Sequence, residues 1–263
     1  MRKLTLIVLS ALVLFIACKK TEIIIPEAPA FLEPKQEQWG LAINYTATWC
    51  GFCGSWGAPL IHDFDKMGKV VTVANHDSGD PMFNLALKTQ MSVDRPVGSG
   101  IPSFWVGDEK TKETSKMTQL LAKIPTAGID MKIRRIENSM KIAYMVKFFS
   151  AGVGDYYFSL WMLESGIDGS SSAGSFAQAG TSDPNFKHDF VFRKAYGNKV
   201  YGEKILTNPA TGATHEGVVD MPIDAAWKKN VYIAACLWRY DTAGNPAANN
   251  PNYKFVNGFV VAP

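Results

Sequence analysis

Cysteine is scarce in this chain: four among 263 residues, too few for a disulfide scaffold, which would need a larger, even set. Charge of one sign is also scarce. The 27 Lys and Arg are nearly matched by 24 Asp and Glu, which leaves no electrostatic footprint for nucleic acid. Long apolar runs are limited to Leu4–Ile16, too short to span a bilayer comfortably. No internal repeat is apparent. What the chain has in quantity is core material, with 47% hydrophobic and 12% aromatic residues.

The short apolar run has a recognisable setting. Arg2 and Lys3 precede it, and Ala17-Cys18 closes it. A basic start, a short apolar stretch and a small residue at the end have the shape of an export signal. The cysteine makes the segment resemble a bacterial lipoprotein signal, which implies removal of residues 1–17 and acylation of Cys18. Lipid on that residue would hold the protein at a membrane without a spanning helix. Arg2 and Lys3 leave with such a signal, so the mature balance is 25 Lys and Arg against 24 Asp and Glu. Residues 18–37 contain three prolines and mixed charge and read as a tether.

From residue 38 the pattern becomes ordered. "WGLAINYTA" predicts a strand, and the apolar spacing of Phe52, Trp56, Leu60, Phe64 and Met67 predicts a helix over 50–67, weakened at its start by Gly54, Gly57 and Pro59. "KVVTVANH" reads as a buried strand. Residues 80–93 read as a helix with Asp80 as N-cap and Pro81 in first position. "GIPSFWVGDEK" feeds a strand that turns at Gly107-Asp108, and Ser115 caps a short helix over 115–124. The order β, α, β, α, β, (β), α fits a small α/β domain over 38–126. Beyond Pro125 several short strands with Gly, Asn and Pro turns, and no convincing helix, predict an all-β sandwich of immunoglobulin-like type over 127–263. Residues 166–185 are small and polar and read as a long exposed loop. Cys236, inside "NVYIAACLWRY", reads as a buried small hydrophobe, and Trp161, Trp227, Trp238 and Tyr240, which could line a ligand groove, read at strand spacing as core.

The chemistry concentrates in "NYTATWCGFC", residues 44–53. Thiol–disulfide exchange needs a thiolate near neutral pH and a second sulfur within reach. A C-x-x-C pair at a helix start offers both, because free N–H groups and the helix dipole favour the first thiolate. A thiol of pKa about 8.5 is a few per cent ionised at pH 7, and one lowered to about 7 is half ionised. Two other readings compete. Cys50 and Cys53 could join His62 and His76 at a zinc ion, although the thirteen residues between the histidines exceed the usual spacing. The pair could also be a structural staple, since an exported protein oxidises its cysteines readily. His188-Asp189 reads as a hydrogen-bonding corner.

With Trp49 before the pair, and Ile101-Pro102 opening the next strand forty-nine residues after Cys53, this half resembles the thioredoxin superfamily. The resemblance implies a cis-proline at Pro102, whose backbone, with Ile101, faces the redox pair and accepts substrate chain, and it implies that Trp49 packs beside the pair. Asn44 stands where thioredoxin carries a buried acid. No histidine lies between the cysteines, so no imidazolium adds to thiolate stabilisation, which argues against a very strong oxidant. The signal, "TATWCGFC", Pro102 and a β-rich half containing "HDFVFRKAYGNKVYGEKI" together resemble Bacteroidetes outer-membrane lipoproteins of Omp type, which join a thioredoxin-like domain to a C-terminal sandwich.

The expected function is therefore a thiol–disulfide oxidoreductase of the Gram-negative cell envelope, lipid-anchored at Cys18, most simply to the outer membrane. Cys50 attacks, Cys53 resolves, and Trp49, Ile101 and Pro102 contact substrate. Its partners are protein thiols and disulfides of the envelope, with no metal and no cofactor. The competing class is a non-enzymatic binding lipoprotein with a structural Cys50–Cys53 disulfide.

Overall fold

The computed structural model describes residues 31–227 and 230–261. The signal-like segment, Cys18 and most of the tether lie outside the described residues. Within them, no helix is long and apolar enough to cross a membrane.

The first half contains β1 (Gly40–Thr46), α1 (Ala58–Lys66), β2 (Val70–His76), α2 (Leu85–Asp94), β3 (Ser103–Val106), β4 (Glu109–Lys110) and α3 (Thr114–Leu121). β1 pairs in parallel with β2 and antiparallel with β3, and β4 pairs antiparallel with β3. Every residue of β1 and β2 is buried, as expected of parallel strands covered on both faces.

Local chemistry moves three element boundaries. The helix predicted from residue 50 opens with one π-helical turn, Cys53–Gly57, in which Ala58 donates its N–H to Cys53 O five residues back. Pro59, next in line, has no N–H to give the ladder, and the regular α-helix starts around it. Asp80 does not cap α2; that role falls to Asn84, whose side chain accepts from Leu87 N at 3.1 Å. Asp80 is turned inward instead, for a reason given below. Ser115 lies inside α3, and Glu113 at its N-cap position makes no side-chain cap bond.

The second half adds β5 (Ala127–Ile136), β6 (Ser139–Phe148), β7 (Asp155–Ser165), β8 (Ile167–Asp168), β9 (Lys187–His188), β10 (Val191–Ala195), β11 (Glu203–Thr207), β12 (Thr214–Pro222), β13 (Asn230–Tyr240) and β14 (Tyr253–Val261). The result is mostly β with a mixed sheet and few helices. β12, β6 and β5 form a three-stranded antiparallel sheet. β14, β13, β7 and β10 continue the first-half sheet, giving the order β14-β13-β7-β10-β2-β1-β3-β4, with β11 also on β7. The junction is a short parallel bridge from Val191 to Ala74, with Ala74 N donating to Phe190 O at 2.7 Å.

Strand alternation explains how β7 and β13 serve two cores. Phe158, Leu160 and Met162, with Ile233, Ala235 and Leu237, face Ile129, Ile142 and Val146 of the small sheet. Trp161, Leu163, Cys236 and Trp238 face the other way and share a core with Leu41, Ile43, Phe64 and Val71. Trp161 and Trp238 are thus core, as expected, and Cys236 is buried and unpaired, its thiol pKa pushed up by burial.

Two further ties cross from one half to the other. The end of the predicted tether is docked: Glu33 N donates to Asp130 at 2.8 Å, and the fully buried Asn257 amide bonds Trp39 N at 2.8 Å, Glu37 O at 2.9 Å and Ala127 O at 2.8 Å. At the C-terminal end of α2, the fully buried Arg95 donates from Nε to Gly107 O, from Nη1 to Asp94 and the Tyr201 hydroxyl, and from Nη2 to Asp108 and Tyr253 O. That uses all five guanidinium N–H groups, and Trp238 lies beneath the ion at 4.9 Å.

Candidate active site

The cysteine turn occupies the end of β1, where the strand leaves the sheet and α1 has not yet begun. Cys50 and Cys53 are joined by a disulfide. Cys53 N–H points at Cys50 Sγ from 3.1 Å while also donating to Cys50 O, so the sulfur sits against a backbone donor at a helix start, the environment that favours a thiolate on reduction. The Ile101–Pro102 peptide is cis, and Ile101 O lies 3.6 Å from Cys50 Sγ. Residues far apart in sequence are thereby brought together as the resemblance implies.

The two sulfurs differ in access. Cys53 is 1% exposed, whereas Cys50 is 7% exposed and lines an open groove of about 540 Å³. Gly98–Ile101 form one wall of this groove, and Trp49 and Phe52 belong to the other side. Both aromatics are strongly exposed, at 55% and 70%, so Trp49 stands at the rim of the groove, while both cysteines are buried. Lys88 and Asp77 pair at 2.6 Å at the mouth. Burial alone would raise the Asp77 carboxyl, but Lys88 and the Ser78 N–H hold it below its usual range.

Behind the turn lies a buried polar cluster. His76 Nδ1 is 3.0 Å from Asp80 Oδ2, a charge contact off the line of a good hydrogen bond. Asp80 accepts from Thr48 N at 2.5 Å and from Met82 N at 2.7 Å. These donors, and His76, turn Asp80 away from the α2 N-cap position. Burial would raise its pKa; His76 and the two N–H groups outweigh it and hold it at about 2. His188 stacks edge-on to His76, and its Nε2 is 2.7 Å from Phe176 O. Burial pushes its pKa down to about 4, against that hydrogen bond. Asn44, 2% exposed, has no hydrogen-bond partner for Oδ1 and borders, with His76 and His188, a cavity of about 20 Å³, enough for one water.

The other histidine of the zinc reading, His62, contacts Asp189 at 3.4 Å, and Asp189 also accepts from Gly166 N at 2.7 Å. Among the described residues there is no cluster of three or more His, Cys, Asp or Glu placed to hold a metal. The element that sequence reasoning missed is the 166–185 segment. About half of its residues are exposed, but Ser170 and Gln178 are buried, and Gln178 Nε2 reaches the carbonyls of Ala47, Thr48 and Cys50. Its small, polar composition gave no sign of this, because the acceptors are backbone carbonyls more than a hundred residues away in sequence.

No family model matches the chain, and no curated protein matches it in sequence. Among solved structures it is similar to HBP35 of Porphyromonas gingivalis, with a TM-score of 0.64 at 14% sequence identity, over 88% of this chain and 76% of that one. At that identity the likeness is one of fold.

Proposed function

We propose that this protein is a thiol–disulfide oxidoreductase, with residues 38–126 as a thioredoxin-like redox unit and residues 127–263 as an immunoglobulin-like sandwich grafted onto its sheet. The observation that carries this reading is the asymmetric disulfide: Cys50 faces a solvent-open groove beside a cis-proline, and Cys53 lies behind it. A substrate thiolate attacks Cys50 Sγ, the S–S bond to Cys53 breaks, and Cys53 leaves as a thiolate that takes up a proton. A second substrate thiolate then attacks the substrate sulfur of the mixed disulfide, and Cys50 leaves as a thiolate. Two electrons pass to the protein, and the substrate leaves as a disulfide. Run backwards, the same steps reduce a substrate. Trp49, Ile101 and Pro102 flank the groove as contacts for an extended substrate chain.

Equilibrating the purified full chain with glutathione buffers and trapping free thiols measures the potential of the pair. A value between about −270 and −120 mV is expected, the span of working couples. A value below about −300 mV marks a structural disulfide and favours the binding lipoprotein. The resemblance of residues 1–18 to a lipoprotein signal supports a site in the Gram-negative envelope, anchored at Cys18 most simply to the outer membrane, with envelope proteins as partners. Palmitate labelling of the wild type that is unchanged in Cys18→Ser would remove the anchor from this account.

A further inference from the structure

We infer that Gln178, carried to the cysteine turn by the second half of the chain, is a positioning residue that sets the reactivity of Cys50; the inference rests on the redox reading above.

The geometry converges on one side-chain nitrogen. Gln178 Nε2 lies 3.1 Å from Ala47 O, 3.2 Å from Thr48 O, 3.1 Å from Cys50 O and 3.0 Å from Ala179 O. Four acceptors around one group fix which end of the amide faces them, since the amide oxygen there would meet only other oxygens. Gln178 is 8% exposed, so these bonds are made largely out of water, where a lost partner is costly. The main chain follows the same path: Ala179 N donates to Thr48 O at 2.7 Å. The two backbones approach so closely that a Cβ on Gly54 would lie 2.2 Å from Ala179 O, and one on Gly180 would lie 1.9 Å from Gly51 O. From behind, Gln178 N is tied to Gly169 O at 2.9 Å and Phe176 O to His188.

The chemical consequence follows from where the carbonyls sit. Ala47, Thr48 and Cys50 present negative dipole ends around the turn that must carry the Cys50 thiolate. An amide donor drawn into them offsets that charge. It also holds Cys50 O against Cys53 N, at 3.1 Å, so that Cys53 N–H stays aimed at Cys50 Sγ. Both effects favour the thiolate, and therefore the reduced state.

The test uses the full chain and three readouts: fold by thermal melting, the pH midpoint of Cys50 alkylation, and the reduction potential. In Gln178→Met, which keeps the length and removes the donors, the alkylation midpoint should rise. The exchange equilibrium should shift toward disulfide by about tenfold, or about 30 mV more negative. Gln178→Glu, which offers oxygens to the carbonyls, should move both further the same way. A folded Gln178→Met chain with midpoint and potential unchanged would overturn the inference, because a merely structural role moves stability alone. If neither variant folds, the wild type still decides. The Gln178 side-chain amide protons should be protected from exchange and should shift in NMR when the disulfide is reduced; exchange at the free rate overturns the inference. The comparison is always with the wild-type potential, so a wild-type value below the working range ends the enzyme reading without deciding what Gln178 does.

Discussion

Two of the buried polar joints that fasten the halves of this molecule differ in kind. The Arg95 joint, far along α2, is built on a cation that stays charged at any ordinary pH and whose five donors are all met. The joint behind the cysteine turn is built on His76, Asp80 and His188, of which two have pKa values displaced in the acid direction. The first is expensive to disturb in any way. The second holds only while its members keep their native protonation. The contrast locates the adjustable joint beside the site and the permanent one away from it.

The comparison breaks most visibly at Arg95. Arg95→Leu strands the buried Asp94 and the half-buried Asp108 without their cation, and removing one partner of a buried pair costs about 3–5 kcal/mol. Urea unfolding at pH 7 should show that loss. A loss under about 1 kcal/mol would mean the joint contributes little. The next effect is acid-specific. His188 is neutral in the fold with a pKa of about 4, while in the unfolded chain it binds a proton from about pH 6.5 downward. The unfolded state therefore gains protons first, and stability falls as pH drops from about 6.5 to 4, by on the order of 3 kcal/mol. His188→Gln should flatten that stretch; an unchanged slope would assign it to other groups. The smallest effect comes last in the same titration. Asp80, depressed to about 2, contributes stability above its unfolded value and loses it as pH falls from about 3.8 toward 2, about 2 kcal/mol. Asp80→Asn should remove that final slope.

How much of this was legible depended on the range over which each feature is encoded. The cysteine turn, the strand before it and Pro102 are marked by short local signals, and the strands were found because apolar runs and alternation are local too. Asp80 was misplaced as a helix cap because residue type and spacing carry no sign of Thr48 N, a competing donor thirty-two residues away. The buried part of the 166–185 segment is hidden for a related reason: glycine and serine describe equally a solvated loop and a strap that needs close backbone approach. The short Val191–Ala74 bridge between strands from opposite halves leaves no trace in either strand's own sequence.

That bridge bears on how the chain can be handled. Cutting between residues 126 and 127 would strip β10 from β2 and leave a bare strand edge, a template for unwanted strand addition. It would also uncover Trp161 and Trp238 on the complementary piece. Fragment expression is thus a poor route to the cysteine-bearing half. Mixing the two pieces, each presenting the edge the other lacks, becomes a natural complementation assay for the whole architecture.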